Sequence, residues 1–244
     1  MSFNFSPKTV SNGLVMYLDA GNAKSYPASG VSWRNLKDPN TNATLTNGPT
    51  FLNEKGGVIA FDGINDVVNL TTNGDTFNNL YFGGLSAGNR SVTLEYFIYF
   101  DPILLTPNPD GTFWQMFGSG FVGYYLARRD DSGRLIIMLR RPTAGVNTYH
   151  TSVKPIELGK YYHIVFSMTE NVESKWYING ILDSTQTNTD YTFHPSFSNI
   201  FKIGQGYSTS TMYSGKVGSL KIYNRALSAT EVLQNYNATK TRFI

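Results

Sequence analysis

Asp62, Asn65 and Asp66 place three side-chain oxygens within five residues, beside an Asp62-Gly63 turn. Calcium takes six to eight oxygen ligands at about 2.3–2.6 Å, so a site here needs donors from distant loops. Asp19, Asp101 and Asp110 are loop carboxylates of the right type. The alternative is plain turn chemistry, with Asp62 capping its own loop. Glycoside cleavage needs two carboxyl groups across one groove, about 5–5.5 Å apart in the retaining form. No Glu-x-Asp-x-Glu run supplies them: Glu95 stands alone in its segment, and Glu170 and Glu173 fall in a hairpin-tip pattern. His150, His163 and His194 are the only histidines, with neither zinc-ligand spacing nor a Gly-x-Ser-x-Gly elbow nearby. His163 shares a strand face with Tyr161 and Val165 and reads as a core histidine rather than a general base. With no cysteine, thiolate nucleophiles and thiolate metal sites are excluded, and no enzymatic activity is expected.

Binding is the remaining chemistry. A glycan site combines aromatic platforms with a few polar side chains. Trp33, Tyr124, Tyr125, Tyr149, Tyr207 and Tyr213 are candidate platforms, although sixteen tyrosines make most of them packing residues. The polar run Gly204-Gln-Gly-Tyr-Ser-Thr-Ser-Thr211, with Tyr207 and Ser208 at its centre, lies between two strand patterns. It is the preferred recognition loop, because function concentrates on loops held by a rigid scaffold. A passive connection is the alternative. Arg128-Arg129, Arg134 and Arg140-Arg141 form a basic cluster, read as solvated hairpin ends or, alternatively, as a contact for an anionic glycan or membrane surface.

The elements that must position these residues are strands. Alternating or continuous apolar patterns mark residues 13–19, 58–61, 67–70, 91–100, 113–118, 123–128, 135–140, 147–152, 161–168, 174–178, 181–184, 200–203 and 214–223. In 91–100, Val92, Leu94, Tyr96, Ile98 and Phe100 share one face, and Thr93, Glu95, Phe97 and Tyr99 share the other. Asn179-Gly180 between two strand patterns is a type I′ hairpin signal. Leu135 to Leu139 is apolar on both faces, so loops or another subunit must cover it. One helix closes the chain. Ser228-Ala-Thr-Glu231 is a capping box, Leu227 and Val232 a hydrophobic staple, and Val232, Leu233 and Tyr236 the expected docking stripe.

Low charge (15%), high aromatic content (14%) and 23 glycines fit sheets joined by polar turns. A net charge of +3 is too small to indicate a nucleic-acid partner. No apolar run reaches the roughly 18 residues of a membrane span, and the first residues lack a secretory-signal pattern. The Asn-x-Thr and Asn-x-Ser triplets at Asn42 and Asn89 are therefore read as chance.

The ordered blocks Leu14-Val-Met-Tyr-Leu-Asp-Ala20, Trp33-Arg-Asn-Leu36, Gly57-Val-Ile-Ala-Phe-Asp-Gly63, Val92-Thr-Leu-Glu-Tyr-Phe97, Tyr162-His-Ile-Val-Phe166, Trp176-Tyr-Ile-Asn-Gly180 and Phe201-Lys-Ile-Gly204 span the chain. In order and spacing they resemble the laminin G-like, concanavalin A-like domains. The resemblance implies an all-β fold: a two-sheet antiparallel jelly-roll sandwich with one short C-terminal helix. It implies a single domain over 1–244, with 1–12 as an extended N-terminal arm. It also implies glycan binding, with Ca²⁺ as a cofactor of related jelly rolls. The opening block and the ending Asn-Tyr-Asn-Ala-Thr-Lys-Thr-Arg-Phe243 resemble virion proteins of tailed bacteriophages, marine and T4-like ones among them. That narrower likeness implies a non-enzymatic capsid, neck, fibre or tail component, assembled in a host cytoplasm. Its partners would be other virion proteins or its own copies, and a cell-surface glycan. A free-standing lectin module is the alternative, and a glycoside hydrolase a more distant one.

Overall fold

The computed structural model describes residues 7–71, 90–102, 112–117, 125–130, 132–140, 147–187, 200–205 and 212–243. In chain order the strands are β1 (Leu14–Asp19), β2 (Ser32–Trp33), β3 (Ala43–Thr46), β4 (Thr50–Leu52), β5 (Val58–Asp62) and β6 (Val67–Thr71). They continue with β7 (Ser91–Phe100), β8 (Thr112–Phe117), β9 (Tyr125–Arg129), β10 (Arg134–Arg140) and β11 (Asn147–Pro155). The last are β12 (Tyr161–Thr169), β13 (Glu173–Ile178), β14 (Ile181–Thr187), β15 (Ile200–Ile203) and β16 (Ser214–Tyr223), followed by helix α1 (Ala229–Phe243).

The strands form two antiparallel sheets, a jelly-roll sandwich. The first runs β14-β13-β12-β7-β16-β5-β4, and the second β11-β10-β9-β8-β15-β6-β3-β2. Strand β1 also pairs with β16: Asp19↔Ser219 to Leu14↔Tyr223 on β1 meet the C-terminal half, while β5 takes residues 214–217. The strand patterns expected at 113–118, 123–128, 135–140 and 147–152 are present as the meander β8 to β11. Asn179 and Gly180 both have positive φ, 53° and 77°, as the I′ turn requires. The short loop 62–66 does not join two neighbouring strands. It carries the chain from β5 in the first sheet to β6 in the second.

The main core lies between the sheets. Leu94, Tyr96, Ile98, Ile164, Phe166, Trp176, Leu220 and Ile222 of the first sheet meet Leu45, Val68, Leu70, Leu135, Ile137, Phe201 and Ile203 of the second. The alternation expected for 91–100 is present, but its other face is also buried: Glu95 and Phe97 sit beneath α1, and Thr93 beneath the 225–227 segment that leads into it. The chain thus covers the outside of its own first sheet. On β10, Leu135 and Ile137 are buried inward and Ile136 and Met138 are half-buried on the other side.

The capping box forms as expected. Ser228 N–H donates to Glu231 Oε2 (2.9 Å), and Glu231 N–H donates to Ser228 Oγ (3.3 Å). Arg225 adds a salt bridge to Glu231 at 2.6 Å, which holds that carboxyl down at about 2. Leu227 and Val232 are both buried, completing the staple. The docking stripe is met in part: Val232 is buried and Tyr236 packs on the His163 ring, with centroids 5.6 Å apart. Leu233 points to solvent, and the buried helix positions are Val232, Asn235 and Phe243. The helix is also longer than its apolar pattern, because its second half is held by specific contacts rather than by a stripe. Phe243 stacks on Phe97 with ring centroids 4.5 Å apart. It fills the space left by the missing side chain of Gly218, where β16 bulges between Val217 and Ser219. Arg242 reaches Asp19 Oδ1 (2.6 Å) and the carbonyls of Lys55 and Gly57.

The described part of the N-terminal arm is stitched along the same helix. Gln234 Nε2 donates to the Lys8 carbonyl (2.6 Å), and Val10 N–H donates to Asn235 Oδ1 (2.8 Å).

Candidate functional site

On the outer face of the first sheet, beside the end of α1, is a groove of about 780 Å³. Strand register builds its floor. Tyr161 of β12 is opposite Tyr99 of β7, and Tyr99 is opposite Lys216 of β16. Three neighbouring strands therefore contribute one transverse row, Tyr161-Tyr99-Lys216. The two tyrosine rings lie 4.9 Å apart, tilted by 45°. Phe243 packs against Tyr161 at 6.2 Å and closes the helix side. Loops add the walls: Glu54 and Lys55 between β4 and β5, Glu157 to Lys160 before β12, Tyr162 on β12, and Asn179 at the hairpin turn.

Polar contacts fix this floor. Glu54 Oε1 accepts from Lys216 Nζ (2.8 Å) and from the Tyr161 hydroxyl (2.6 Å). Those bonds hold the Glu54 carboxyl below the usual carboxylate range, so it is an acceptor and not a proton donor. Burial, reinforced by Glu54, pushes the Tyr161 phenol up. The Lys216 ammonium lies 4.7 Å from the Tyr99 ring centroid, a cation–π distance. Lys160 pairs with Glu157 at 2.6 Å, and the Glu157 N–H donates to the Tyr162 hydroxyl (3.1 Å). Aromatic faces flanked by an acceptor and ammonium donors match what a sugar ring presents: an apolar face rimmed by hydroxyls.

A second polar cluster lies deeper, between the sheet and α1. Lys221 Nζ donates to Glu95 Oε1 (2.6 Å), and both side chains are buried. Asn235 Nδ2 donates to Glu95 Oε2 (2.6 Å) and to the Tyr223 hydroxyl (2.8 Å), which donates to the Val10 carbonyl. His163 Nε2 lies 3.2 Å from Glu95 Oε1, but no ring N–H is aligned for a hydrogen bond. Burial alone would raise the Glu95 carboxyl; Lys221 and His163 outweigh it and bring it to about 2. Burial pushes His163 down, against the pull of Glu95. The cluster is closed to solvent, so it joins helix to sheet rather than meeting a ligand.

Of the residues singled out in the sequence, the described ones do not converge on the groove. Trp33 and Tyr213 are packed in the inter-sheet core and cannot serve as exposed platforms. Tyr213 sits edge-on to Phe61 and Phe100, and its hydroxyl donates to the Tyr99 carbonyl (2.5 Å). Tyr149 is exposed on β11, away from the groove lining. Tyr124, Tyr207, Ser208, Asp110 and the side chains of Arg128, Arg129, Arg140 and Arg141 lie outside the described residues.

The 62–66 loop has the geometry of a turn. Asp62 Oδ1 accepts from the Ile64 and Asn65 amides (2.8 and 3.2 Å), and Asp66 Oδ2 accepts from the Asp62 amide (2.9 Å). Burial pushes the Asp66 carboxyl up, and its bond from the Asp62 amide pulls the other way. Among the described residues no group of three or more acidic or histidine side chains could hold a metal ion. Each carboxylate of this loop thus holds the loop's own backbone through one oxygen, as turn chemistry requires. Of the other carboxylates, Asp19 holds Arg242, and Asp101 accepts from Ser214 Oγ (2.8 Å).

A family model described as the concanavalin A-like lectin/glucanases superfamily matches residues 62–233, about 70% of the chain. The chain belongs to the concanavalin A-like lectin/glucanases superfamily. No curated protein matches it in sequence. Among solved structures, this superfamily member is similar to the binding domain of Paraclostridial Mosquitocidal Protein 1, at 15% identity and a TM-score of 0.68. That match covers 93% of this chain and 52% of the other, so the chain spans about half of that neighbour. Domain 4 of AbnA, an extracellular GH43 arabinanase from Geobacillus stearothermophilus, in complex with arabinotriose, matches at 17% identity and a TM-score of 0.63. There the match covers 91% of this chain and 98% of the other. A Trypanosoma rangeli sialidase in complex with the inhibitor DANA matches at 16% identity and a TM-score of 0.67, over 99% of this chain and 36% of the sialidase. At these identities the likeness concerns the fold.

Proposed function

We propose that this protein is a non-catalytic glycan-binding module whose site is the Tyr99–Tyr161 groove. The observation that carries the reading is the transverse row of Tyr161, Tyr99 and Lys216, with Glu54 pinned beside it. The superfamily and the arabinotriose complex of a similar domain support it. A general acid for glycoside cleavage needs a raised carboxyl pKa. Glu54 is lowered and Glu95 is sealed under a helix, which favours binding over hydrolysis. Binding is proposed to be independent of calcium, since the 62–66 loop commits its carboxylates to backbone amides. Glycan-array screening with and without EDTA tests this. Binding retained in EDTA and reduced at least about ten-fold by Tyr161→Ala is expected, on the scale of a lost aromatic hot spot. Turnover of a bound oligosaccharide would overturn the non-catalytic reading.

The setting we propose is the surface of a virus particle, where the module would meet other virion proteins and a host glycan. The support is the likeness of the opening and closing blocks to tailed-phage virion proteins. Proteomics of purified particles decides it, and absence of the protein from intact particles would reject the assignment.

A further inference from the structure

The groove's charges narrow its ligand, on the reading that it binds glycans. Three lysines and two glutamates line it. Lys216 is committed to Glu54, and Lys160 to Glu157. Lys55 is exposed, with its ammonium 5.9 Å from the centroid of the Tyr161 ring. It therefore stands over the ring on which a sugar would stack, at the end of a flexible side chain that can swing toward the sugar's rim.

The backbone holds it there. Lys55 has φ of 47°, a left-handed conformation that a long side chain rarely adopts, and Gly56 and Gly57 follow at 73° and 112°. Arg242 locks this turn to the helix end through the Lys55 and Gly57 carbonyls, each at 3.1 Å. A non-glycine residue kept in a sparsely populated region points to a role for its position.

We infer that the groove prefers a sugar bearing an anionic group over its neutral counterpart, and that Lys55 reads the charge. A ring stacked on Tyr161 would carry its carboxylate or sulfate toward the Lys55 ammonium. An exposed ion pair contributes modestly, so the expected preference is about three- to five-fold at low ionic strength. It should shrink in about 0.5 M salt, where the screening length falls to a few ångströms.

The test is an array holding neutral, carboxylated and sulfated versions of the same oligosaccharide backbones, probed with the wild-type chain, Lys55→Gln and Tyr161→Ala. Anionic members should bind above their neutral twins in the wild type, and the carboxylated and sulfated arms report which anion fits. Lys55→Gln should bring the ratio between the twins to about one, whatever it does to the absolute affinity of both. Equal binding of twins by the wild type, or a preference that survives Lys55→Gln, overturns the inference and leaves the groove reading intact. No binding to any backbone, with Tyr161→Ala indistinguishable from wild type, overturns the glycan reading itself.

Discussion

Lys221 and Glu95 form a charged pair with no water to solvate either partner, and Asn235 and Tyr223 complete the set of hydrogen bonds. Removing one partner of such a pair leaves an uncompensated buried charge. Lys221→Met is therefore expected to lower unfolding free energy by about 3–5 kcal/mol, read by urea denaturation. Combining it with Glu95→Gln should recover part of that loss, and a double mutant no better than the single would show that the pair is not the source. Asn235→Ala takes partners from Glu95, Tyr223 and the Val10 amide together, and should cost more than the roughly 1 kcal/mol of an ordinary hydrogen bond. The buried histidines set the acid side. Burial brings His150 down to about 4 and also lowers His163. The fold keeps His150 neutral down to about pH 4, while the unfolded chain takes up protons on histidine near pH 6.5. The His150 contribution is thus complete above about pH 6.5 and lost progressively as pH falls toward 4, the lowered His163 acts in the same direction, and Glu95 adds a further loss between about 4.5 and 2. Calorimetry across this range should show a melting temperature that is level above pH 7 and falls from about pH 6.5 downward. A melting temperature independent of pH down to 4 would mean that these histidines protonate within the fold.

Helix α1 shows which elements can be read from local residues. Its start could be, because a capping box and a staple are contacts within a few positions. Its docking face could be read only in part, through Val232 and Tyr236. Asn235 is buried because Glu95 and Tyr223 wait beneath it, and Phe243 because Gly218 leaves room. Those partners are supplied from other strands. Ser228→Ala should cost about 0.5–2 kcal/mol, in the range of other N-cap losses. Phe243→Ala should cost about 3–5 kcal/mol, as for other buried aromatics, and should also widen the groove. At Gly180 a side chain would meet the Tyr236 ring, and φ is positive, so Gly180→Ala should loosen both the hairpin and the helix it touches. Faster amide exchange in α1 in that variant is the measurement. Strands β2, β3 and β4 escaped the sequence reading because two to four residues are too short for a period to emerge.

At the scale of the molecule, the sandwich was legible because thirteen strand patterns, one I′ turn and one cap all agree with the same architecture. The groove was not. Tyr99 and Tyr161 were each assignable to an outer strand face, yet nothing local says that β7 and β12 pair with those two residues opposite. Glu54 and Lys55 enter from a loop more than forty residues earlier in the chain. Trp33 and Tyr213 misled for a related reason: an aromatic next to a polar loop looks exposed until the opposite sheet covers it. Long-range register has a kinetic side as well. Contacts between residues far apart in sequence slow folding, and sandwiches of this kind fold in milliseconds to seconds or longer. Stopped-flow refolding followed by tryptophan fluorescence should fall at the slow end of that range, since Trp176 sits in the first sheet. A sub-millisecond single phase would contradict this.

The position of β16 carries a consequence for biosynthesis. Its neighbours in the first sheet are β1, β5 and β7, yet it comes after all of them in the chain. On the ribosome the meander β8 to β11 can pair as it emerges, because its strands are consecutive. The first sheet has an empty centre until residue 223 has left the exit tunnel. Until then β1, β5 and one edge of β7 carry unpaired backbone amides and carbonyls, a template for pairing with another nascent chain. Expression at low temperature or with a holdase chaperone should therefore raise the soluble yield, and most of the gain should come from protecting that unfilled slot.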